Sequence, residues 1–291
     1  MLRHPVTTRF APSPSGPLHV GHLLAALSAR RLADRHGGRC VLRIEDIDAR
    51  AQDPHWVELM HEDLDWLGLH FDGETMVQSR RMPLYAATLH ELHRRGLLYP
   101  CFCTRGDIRA QLRDMGRAPH ATLGYLYPGT CKKLPPDLVA ERLAAGLPHC
   151  WRLDMERVQD LIGCPTWHDL RRGTQRCVPT LYGDVVLGRK DFPASYHLAV
   201  VIDDAAQGVN LVTRGRDLFD ATHIHRAIQG VLGLPVPLYD HHMLLCDNEG
   251  KRLAKRDGAR SIASLREAGM TPAGLLDSLA RALENGGIWR I

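Results

Sequence analysis

The chain has 291 residues, of which 44% are hydrophobic, and its formal net charge at pH 7 is +4. This length suits one large domain or two smaller ones with a substantial core, and it excludes a small disulfide scaffold for the eight cysteines. The mildly basic balance is compatible with a polyanionic partner without requiring one.

Signals for export or membrane insertion are missing from the sequence pattern. The first residues lack the apolar core of a signal peptide. Apolar runs such as LAVVI at 198–202 are far shorter than the roughly 20 residues of a membrane-spanning helix. We therefore expect a cytoplasmic protein with no membrane association. In a reducing compartment, clustered cysteines favour a metal site and scattered ones favour packing.

The N-terminal elements alternate between strands and helices. Residues 6–10 predict a short strand, and the Pro- and Gly-containing segment 11–19 predicts a loop. Apolar residues at helical spacing predict helices over 20–35 and 56–67. Between these helices, residues 40–48 predict a buried strand that ends in carboxylates. This order is typical of an α/β protein with a parallel sheet and right-handed crossovers.

The later elements are less regular in the sequence. The pattern predicts an irregular segment over 99–136 and, at 196–215, a strand, a loop and a second strand. The last thirty or so residues are predicted to be helical. The other predicted elements are helices at 79–96, 137–145 and 217–232, and a strand followed by a basic loop within 241–259.

Two histidines, His19 and His22, flank the start of the first helix. The loop before them follows a strand, and in open parallel sheets ligands bind beyond the carboxyl ends of the strands. A helix N-terminus there offers unpaired N–H groups and a positive dipole end to an anion. Gly21 lets a ligand approach the backbone closely. The alternative is a helix-capping histidine beside a solvent-exposed one, or two ligands of a metal.

A second basic cluster, KRLAKR at 251–256, follows a predicted strand. Clustered cations on a loop can close over a triphosphate, and a lysine can follow charge onto the leaving pyrophosphate. Taken alone, such a run is more often a solvated surface loop.

Together, these two motifs resemble those of a known family. HVGH resembles the HIGH signature of class I aminoacyl-tRNA synthetases, and RLAKR resembles their KMSKS loop, although Arg252 and Ala254 depart from its usual residues. The sequence around these motifs resembles the glutamyl branch of that family over residues 7–260. The resemblance implies a Rossmann-like parallel sheet with an inserted zinc-containing subdomain and a short helical C-terminal region. The implied divisions are 1–98, 99–195, 196–240 and 241–291.

The segment after the second motif narrows the resemblance. Only 35 residues follow Arg256, fewer than an anticodon-binding domain needs. With the cysteine cluster, this implies the paralogues that activate L-glutamate with ATP and attach it to the queuosine base of tRNA(Asp). A monomer is expected. The alternatives are a truncated enzyme that charges the 3′ end of tRNA(Glu), a non-catalytic zinc-stapled RNA-binding paralogue, and another nucleotidyltransferase with an HxGH motif.

Glutamate carries two carboxylates and one ammonium, so a selective site needs at least two cations and one anion. Arg9 and Arg214 are candidate cations, because a guanidinium matches a carboxylate bidentately. Glu45 is the candidate anion, although Arg9 and Glu45 could instead form an ordinary salt bridge. The resemblance assigns glutamate binding to Arg9, Phe10, Ala11, Pro12, Ser13, Glu45, Tyr196 and Arg214. It assigns ATP binding, with Mg²⁺ on the phosphates, to His19, Gly21, His22, Arg252 and Lys255.

Three cysteines, Cys101, Cys103 and Cys131, lie in the irregular segment. Three thiols suit a structural zinc ion, which prefers four tetrahedral ligands. Chemistry alone nominates His120 as the fourth ligand, whereas the resemblance implies Tyr127, with Tyr125 a further alternative. The competing interpretation is three buried thiols that serve packing.

Overall fold

Parallel strands alternate with helices in the first third of the chain, as the sequence predicts. The computed structural model describes residues 5–48, 51, 53–114, 126–247, 249, 253 and 260–289. The first elements are β1 (Thr7–Phe10), α1 (Val20–Arg35), β2 (Arg39–Ile44), α2 (Pro54–Trp66), β3 (Met76–Val77) and α3 (Met82–Arg94). Helix α1 forms where apolar residues recur at helical spacing, and it buries Val20, Leu23 and Leu24.

The prediction of an irregular segment over 99–136 is wrong in part, because a strand and a helix occupy its start. The elements from here to residue 188 are β4 (Leu98–Cys101), α4 (Arg105–Asp114), α5 (Pro136–Ala144), β5 (Cys150–Leu153), α6 (Met155–Ile162), β6 (Thr166–Asp169), β7 (Gly173–Arg176) and β8 (Val186–Gly188). Strands β4, β5 and β8 form a small antiparallel sheet. The implied division at 99–195 stays a prediction.

The prediction of a strand at the start of 196–215 is wrong, because this segment is a helix. The last elements are α7 (Tyr196–Ala206), β9 (Leu211–Gly215), α8 (Ala221–Leu232), β10 (Leu238–His242), α9 (Ile262–Glu267) and α10 (Pro272–Glu284). Ser195 caps α7 by accepting from the N–H of Leu198, and Gly208 at φ +66° follows its end. A short apolar run cannot distinguish a buried helix from a strand, so these flanking residues carried the signal.

The strands assemble into a largely parallel central layer. Strands β1, β2 and β3 are parallel, and β9, β10 and β6 are parallel, with β7 antiparallel at the edge. Asn210 joins the two sets, since its Oδ1 accepts from the Thr7 N–H and its own N–H donates to the Thr7 carbonyl. This arrangement brings the ends of β1, β9 and β10 together.

Two apolar cores cover the two faces of this layer. Val41 packs with residues of α3, α7 and α8, whereas its neighbour Leu42 packs with residues of α1, α2, α9 and α10. Side chains alternate between the faces of a strand, so β2 contributes to both cores. Among the described residues, no helix is long and apolar enough to cross a membrane.

One carboxylate in the second core has no hydrogen-bond partner among the described residues. Asp63 on α2 is fully buried, and its nearest cation is the Arg266 guanidinium on α9, 3.8 Å away. Burial raises the pKa of Asp63 to about 6, with Arg266 opposing this shift and Glu62 adding to it. The folded protein therefore binds this proton more tightly than the unfolded chain does.

We expect Asp63→Asn to stabilise the fold at neutral pH. Because the folded-state pKa is raised, the contribution of Asp63 to stability is fully present below the unfolded pKa and is lost as pH rises through about 6. Urea unfolding of the variant should give a free energy of unfolding about 1–2 kcal/mol above wild type at pH 7.5, and no difference near pH 4. Asp65→Asn, on the exposed side of α2, is the control. An equal gain at both pH values would contradict the assignment.

Candidate active site

A cavity of about 450 Å³ opens where β1, β9 and β10 end. Its volume lies in the range of small-molecule sites, and its position is the one where parallel sheets bind ligands. The described residues predicted to bind ATP and glutamate all line this cavity: Arg9, Phe10, Ala11, Pro12, Ser13, His19, Gly21, His22, Glu45, Tyr196 and Arg214. The structure therefore brings them together, while their individual roles stay predictions.

The N-terminus of α1 forms one wall of the cavity, and histidines cap it. The Nδ1 atom of His19 accepts from the Gly21 N–H at 3.0 Å, and Nδ1 of His22 accepts from the His19 N–H at 3.1 Å. The two rings lie 3.9 Å apart. Both histidines therefore cap the helix and line the cavity, so the two interpretations from the sequence are compatible. Since each Nδ1 accepts, each neutral ring carries its hydrogen on Nε2.

Gly21 is required by the position of the His19 ring. A Cβ atom at residue 21 would lie 2.8 Å from His19 Cε1 and 3.0 Å from His19 Nδ1. Any side chain there would push the ring away from the helix N-terminus.

A buried ion network forms the floor of the cavity. Asp204 on α7 accepts from Arg9 Nε at 3.0 Å and from Arg43 Nη1 at 2.8 Å. Arg9 also donates to the Thr213 carbonyl, and Arg43 lies 3.3 Å from Glu45. The sequence alternative of an Arg9–Glu45 salt bridge is thus wrong, since each pairs with another residue. Burial raises the pKa of Glu45 even though Arg43 and Arg9 oppose this shift.

Neutral groups surround Arg214 on β9. Arg214 is 5% exposed, and its guanidinium donates to the Tyr196 hydroxyl, Thr222 Oγ1, His225 Nδ1 and His241 Nε2 at 2.6–3.3 Å. Burial raises the pKa of Tyr196 and lowers that of His225 well below its usual value, so both are uncharged at pH 7. Among the described residues, Arg214 has no carboxylate partner.

Within the second basic motif, the structure describes one residue, Leu253. Leu253 lines the cavity, and its N–H donates to the Leu245 carbonyl. Ser261, on the far side of the motif, pairs with His19. Arg252 and Lys255 lie outside the described residues, as do His120 and Tyr125.

A thiol cluster lies at the end of β4. The sulfur atoms of Cys101, Cys103 and Cys131 are all within 4.8 Å of one another. The Tyr127 hydroxyl lies 3.7 Å from Cys103 Sγ and accepts from the Cys131 N–H at 2.8 Å. These spacings fit the tetrahedral sulfur-rich sites that hold zinc. Cys150 faces Cys101 across β4 and β5 and packs in the same cluster.

Sequence reasoning missed the residues that surround the predicted ones. Asp204 follows the apolar run LAVVI at 198–202, and a carboxylate directly after such a run was the one signal for it. His225 and His241 had no signal beyond a histidine at a helical or strand-end position, because their partner Arg214 lies 11 and 27 residues away.

Comparison with known proteins identifies the family. The sequence profile of "tRNA synthetases class I (E and Q), catalytic domain" matches residues 5–284. The chain therefore belongs to this family of class I synthetases.

Particular relatives narrow the resemblance to one branch. A protein of Rhodobacter capsulatus named glutamyl-Q tRNA(Asp) synthetase is 48% identical over 91% of this chain and 96% of its own length. A protein of the same name from Symbiobacterium thermophilum is 42% identical over 94% of this chain and 84% of its own. A solved glutamate tRNA ligase of Elizabethkingia meningosepticum, in complex with its amino acid, has a TM-score of 0.78 and 28% identity; the match covers 94% of this chain but 60% of that one. The resemblance inferred from the motifs is confirmed.

We expect Gly21→Ala to impair ATP use without unfolding the protein. The added methyl group displaces the His19 ring from the cavity wall, so ATP–pyrophosphate exchange should fall at least about tenfold. Gly106→Ala is the matched control, since its Cβ would lie 3.5 Å from Thr104 Oγ1, an ordinary contact. Exchange at the wild-type rate in a folded Gly21→Ala variant would contradict the placement of His19.

Proposed function

We propose that this protein activates L-glutamate with ATP as glutamyl-adenylate and transfers the glutamyl group to the queuosine base of tRNA(Asp). The observation that carries the proposal is Arg214, a buried cation at the cavity whose partners among the described residues are all neutral. A buried charge is stable only when it is paired, so an anionic ligand suits this position.

The charged side chains at the cavity match the charged groups of glutamate. Arg9 and Arg214 supply two guanidinium groups for the two carboxylates. Glu45 supplies the anion for the ammonium group, and a bound ammonium favours its charged form. Tyr196, protonated because of burial, offers a hydroxyl, and Ser13 offers another from the loop.

Activation requires positioning and charge stabilisation. An oxygen of the glutamate α-carboxylate attacks the α-phosphorus of ATP, the bond to the β-phosphate breaks, and pyrophosphate leaves. The helix N-terminus and the Nε2–H groups of His19 and His22 stabilise the phosphate oxygens. Lys255 is assigned to the leaving pyrophosphate, and Arg252 to ATP binding. Mg²⁺ bound to ATP would neutralise part of the phosphate charge.

Transfer completes the reaction. A hydroxyl oxygen on the cyclopentene ring of queuosine attacks the carbonyl carbon of the adenylate, AMP leaves and the hydroxyl releases its proton. The names of the relatives support this acceptor. The likeness to a glutamate tRNA ligase keeps the 3′ end of tRNA(Glu) as the alternative acceptor.

We expect glutamate-dependent ATP–pyrophosphate exchange without tRNA. Labelled glutamate should then transfer to tRNA(Asp) that bears queuosine and not to queuosine-free tRNA(Asp) or to tRNA(Glu). Transfer to tRNA(Glu) would favour the alternative acceptor, and the absence of exchange would refute the proposed activity.

We also propose that Cys101, Cys103, Tyr127 and Cys131 hold one structural zinc ion. The close spacing of the three sulfur atoms and the phenol oxygen supports this set. The ion would join β4 to the turn at Thr130–Lys133 and would take no part in the chemistry.

We expect Cys103→Ala to lose the zinc ion and to lower the melting temperature. Elemental analysis should find about one zinc per wild-type chain and much less in the variant, because removal of a thiolate ligand leaves the tetrahedral set incomplete. Cys164→Ala, at a half-buried cysteine outside the cluster, is the control. Equal zinc content in both variants would contradict the assignment.

A further inference from the structure

The donors of Arg214 are almost all engaged by protein groups. A guanidinium has five N–H groups. Nε donates to His241 Nε2 at 3.1 Å, Nη1 to His225 Nδ1 at 3.1 Å and to the Tyr196 hydroxyl at 3.3 Å, and Nη2 to Thr222 Oγ1 at 2.6 Å. One N–H of Nη2 therefore has no partner among the described residues. Such a guanidinium is held in one orientation before a ligand arrives.

The chemistry of arginine fixes the state of His241. Because Arg214 can only donate, His241 Nε2 must accept, and the ring hydrogen must lie on Nδ1. His241 Nδ1 lies 2.6 Å from Asp169 Oδ2, and both groups are fully buried. Asp169 Oδ1 accepts from the N–H groups of Arg171 and Arg172, each at 2.9 Å. The Asp169 carboxylate is thus anchored to the β6–β7 turn, and it fixes the orientation and the tautomer of the His241 ring.

The position of Arg214 indicates which of the two glutamate carboxylates it binds. Its partners come from α7, α8 and β10, and none comes from the 11–19 loop or α1. The α-carboxylate must reach the ATP phosphates at α1, where it is consumed. The side-chain carboxylate stays bound throughout the reaction, and a fixed guanidinium suits a group that does not move.

We propose that Asp169 and His241 are positioning residues that hold Arg214 in the orientation selecting the side-chain carboxylate of glutamate over the amide of glutamine. This inference rests on the proposed function. Asp169 lies two hydrogen bonds from Arg214, through the His241 ring, and does not itself touch the substrate. A mobile guanidinium can reorient its N–H groups toward the oxygen of an amide, and it then binds glutamine as well. A guanidinium held in one orientation cannot adjust in this way, so it distinguishes a carboxylate from an amide better.

Asp169→Asn tests the proposal with a nearly isosteric change. The two backbone N–H groups keep the amide oxygen on their side, so the amide nitrogen faces His241 Nδ1. The ring hydrogen must then move to Nε2, where it opposes the N–H of Arg214 Nε. We expect the ratio of kcat/KM for glutamate over glutamine in pyrophosphate exchange to fall at least about tenfold, with KM for ATP nearly unchanged.

Asp240→Asn is the matched control. Asp240 is a buried carboxylate on β10, next to His241. It binds Arg171 and Thr213 rather than Arg214 or the partners of Arg214. This control should keep the wild-type selectivity, whatever it costs in stability. Unchanged selectivity in a folded Asp169→Asn variant, or an equal loss in Asp240→Asn, would overturn the proposal.

The tautomer of His241 provides a readout that does not depend on substrate. Nitrogen-15 NMR of histidine-labelled protein should show His241 protonated on Nδ1 in the wild type and on Nε2 in Asp169→Asn. Protonation on Nε2 in the wild type would overturn the proposal. If the wild type lacks glutamate-dependent exchange, the proposed function fails, while the tautomer still decides whether Asp169 sets the donor geometry of Arg214.

A second pair of variants covers the case in which Asp169→Asn does not fold. His241→Gln keeps an oxygen that can accept from Arg214, whereas His241→Leu removes the acceptor. The glutamine variant should retain at least about tenfold more selectivity than the leucine variant. Equal selectivity in the two variants would contradict a positioning role.

Discussion

The paired arginines around Asp204 are the contact on which the site depends. Arg9, Arg43 and Asp204 come from β1, β2 and α7, and all three side chains are at most 10% exposed. Burial alone would raise the pKa of Asp204, but the two guanidinium groups hold it below its usual value. Removing either partner from such a network leaves an uncompensated buried charge, which costs about 3–5 kcal/mol. The network therefore holds α7 against β1 and β2. It also fixes the position of Arg9 at the cavity floor.

The two cavity arginines differ in how their charge is balanced. Arg9 meets Asp204 directly, so its remaining donors are available without an unpaired buried charge. Within the part of the chain that the structure describes, Arg214 donates to neutral atoms only, and the carboxylate of Asp169 is separated from it by the His241 ring. With Glu45 close to Arg43, the floor has both signs of charge. This mixed charge is consistent with the proposed ligand, which carries two carboxylates and one ammonium.

The sequence predicts the parts of this structure that depend on local spacing. Helix α1 and strand β1 follow from apolar periodicity and the loop composition, and the residues of HVGH and RFAPS meet at the cavity because both adjoin the end of one strand. Helix α7 was missed because five consecutive apolar residues fit both a strand and a buried helix. Asp169 and His241 could not be predicted as partners, because they lie 72 residues apart and meet only through the pairing of β6 with β10.

Four histidines at or behind this cavity act as hydrogen-bond acceptors, and the charge of Arg214 helps to keep two of them neutral. His19 and His22 use Nδ1 to cap α1, and His225 and His241 use a ring nitrogen to accept from Arg214. Burial, followed by the charge of Arg214, lowers the pKa of His241 to about 4. The guanidinium thus opposes protonation of the rings that orient it, and the neutral rings in turn supply the lone pairs that hold it. This mutual dependence keeps the donor geometry constant near neutral pH, where a less buried histidine would become partly charged.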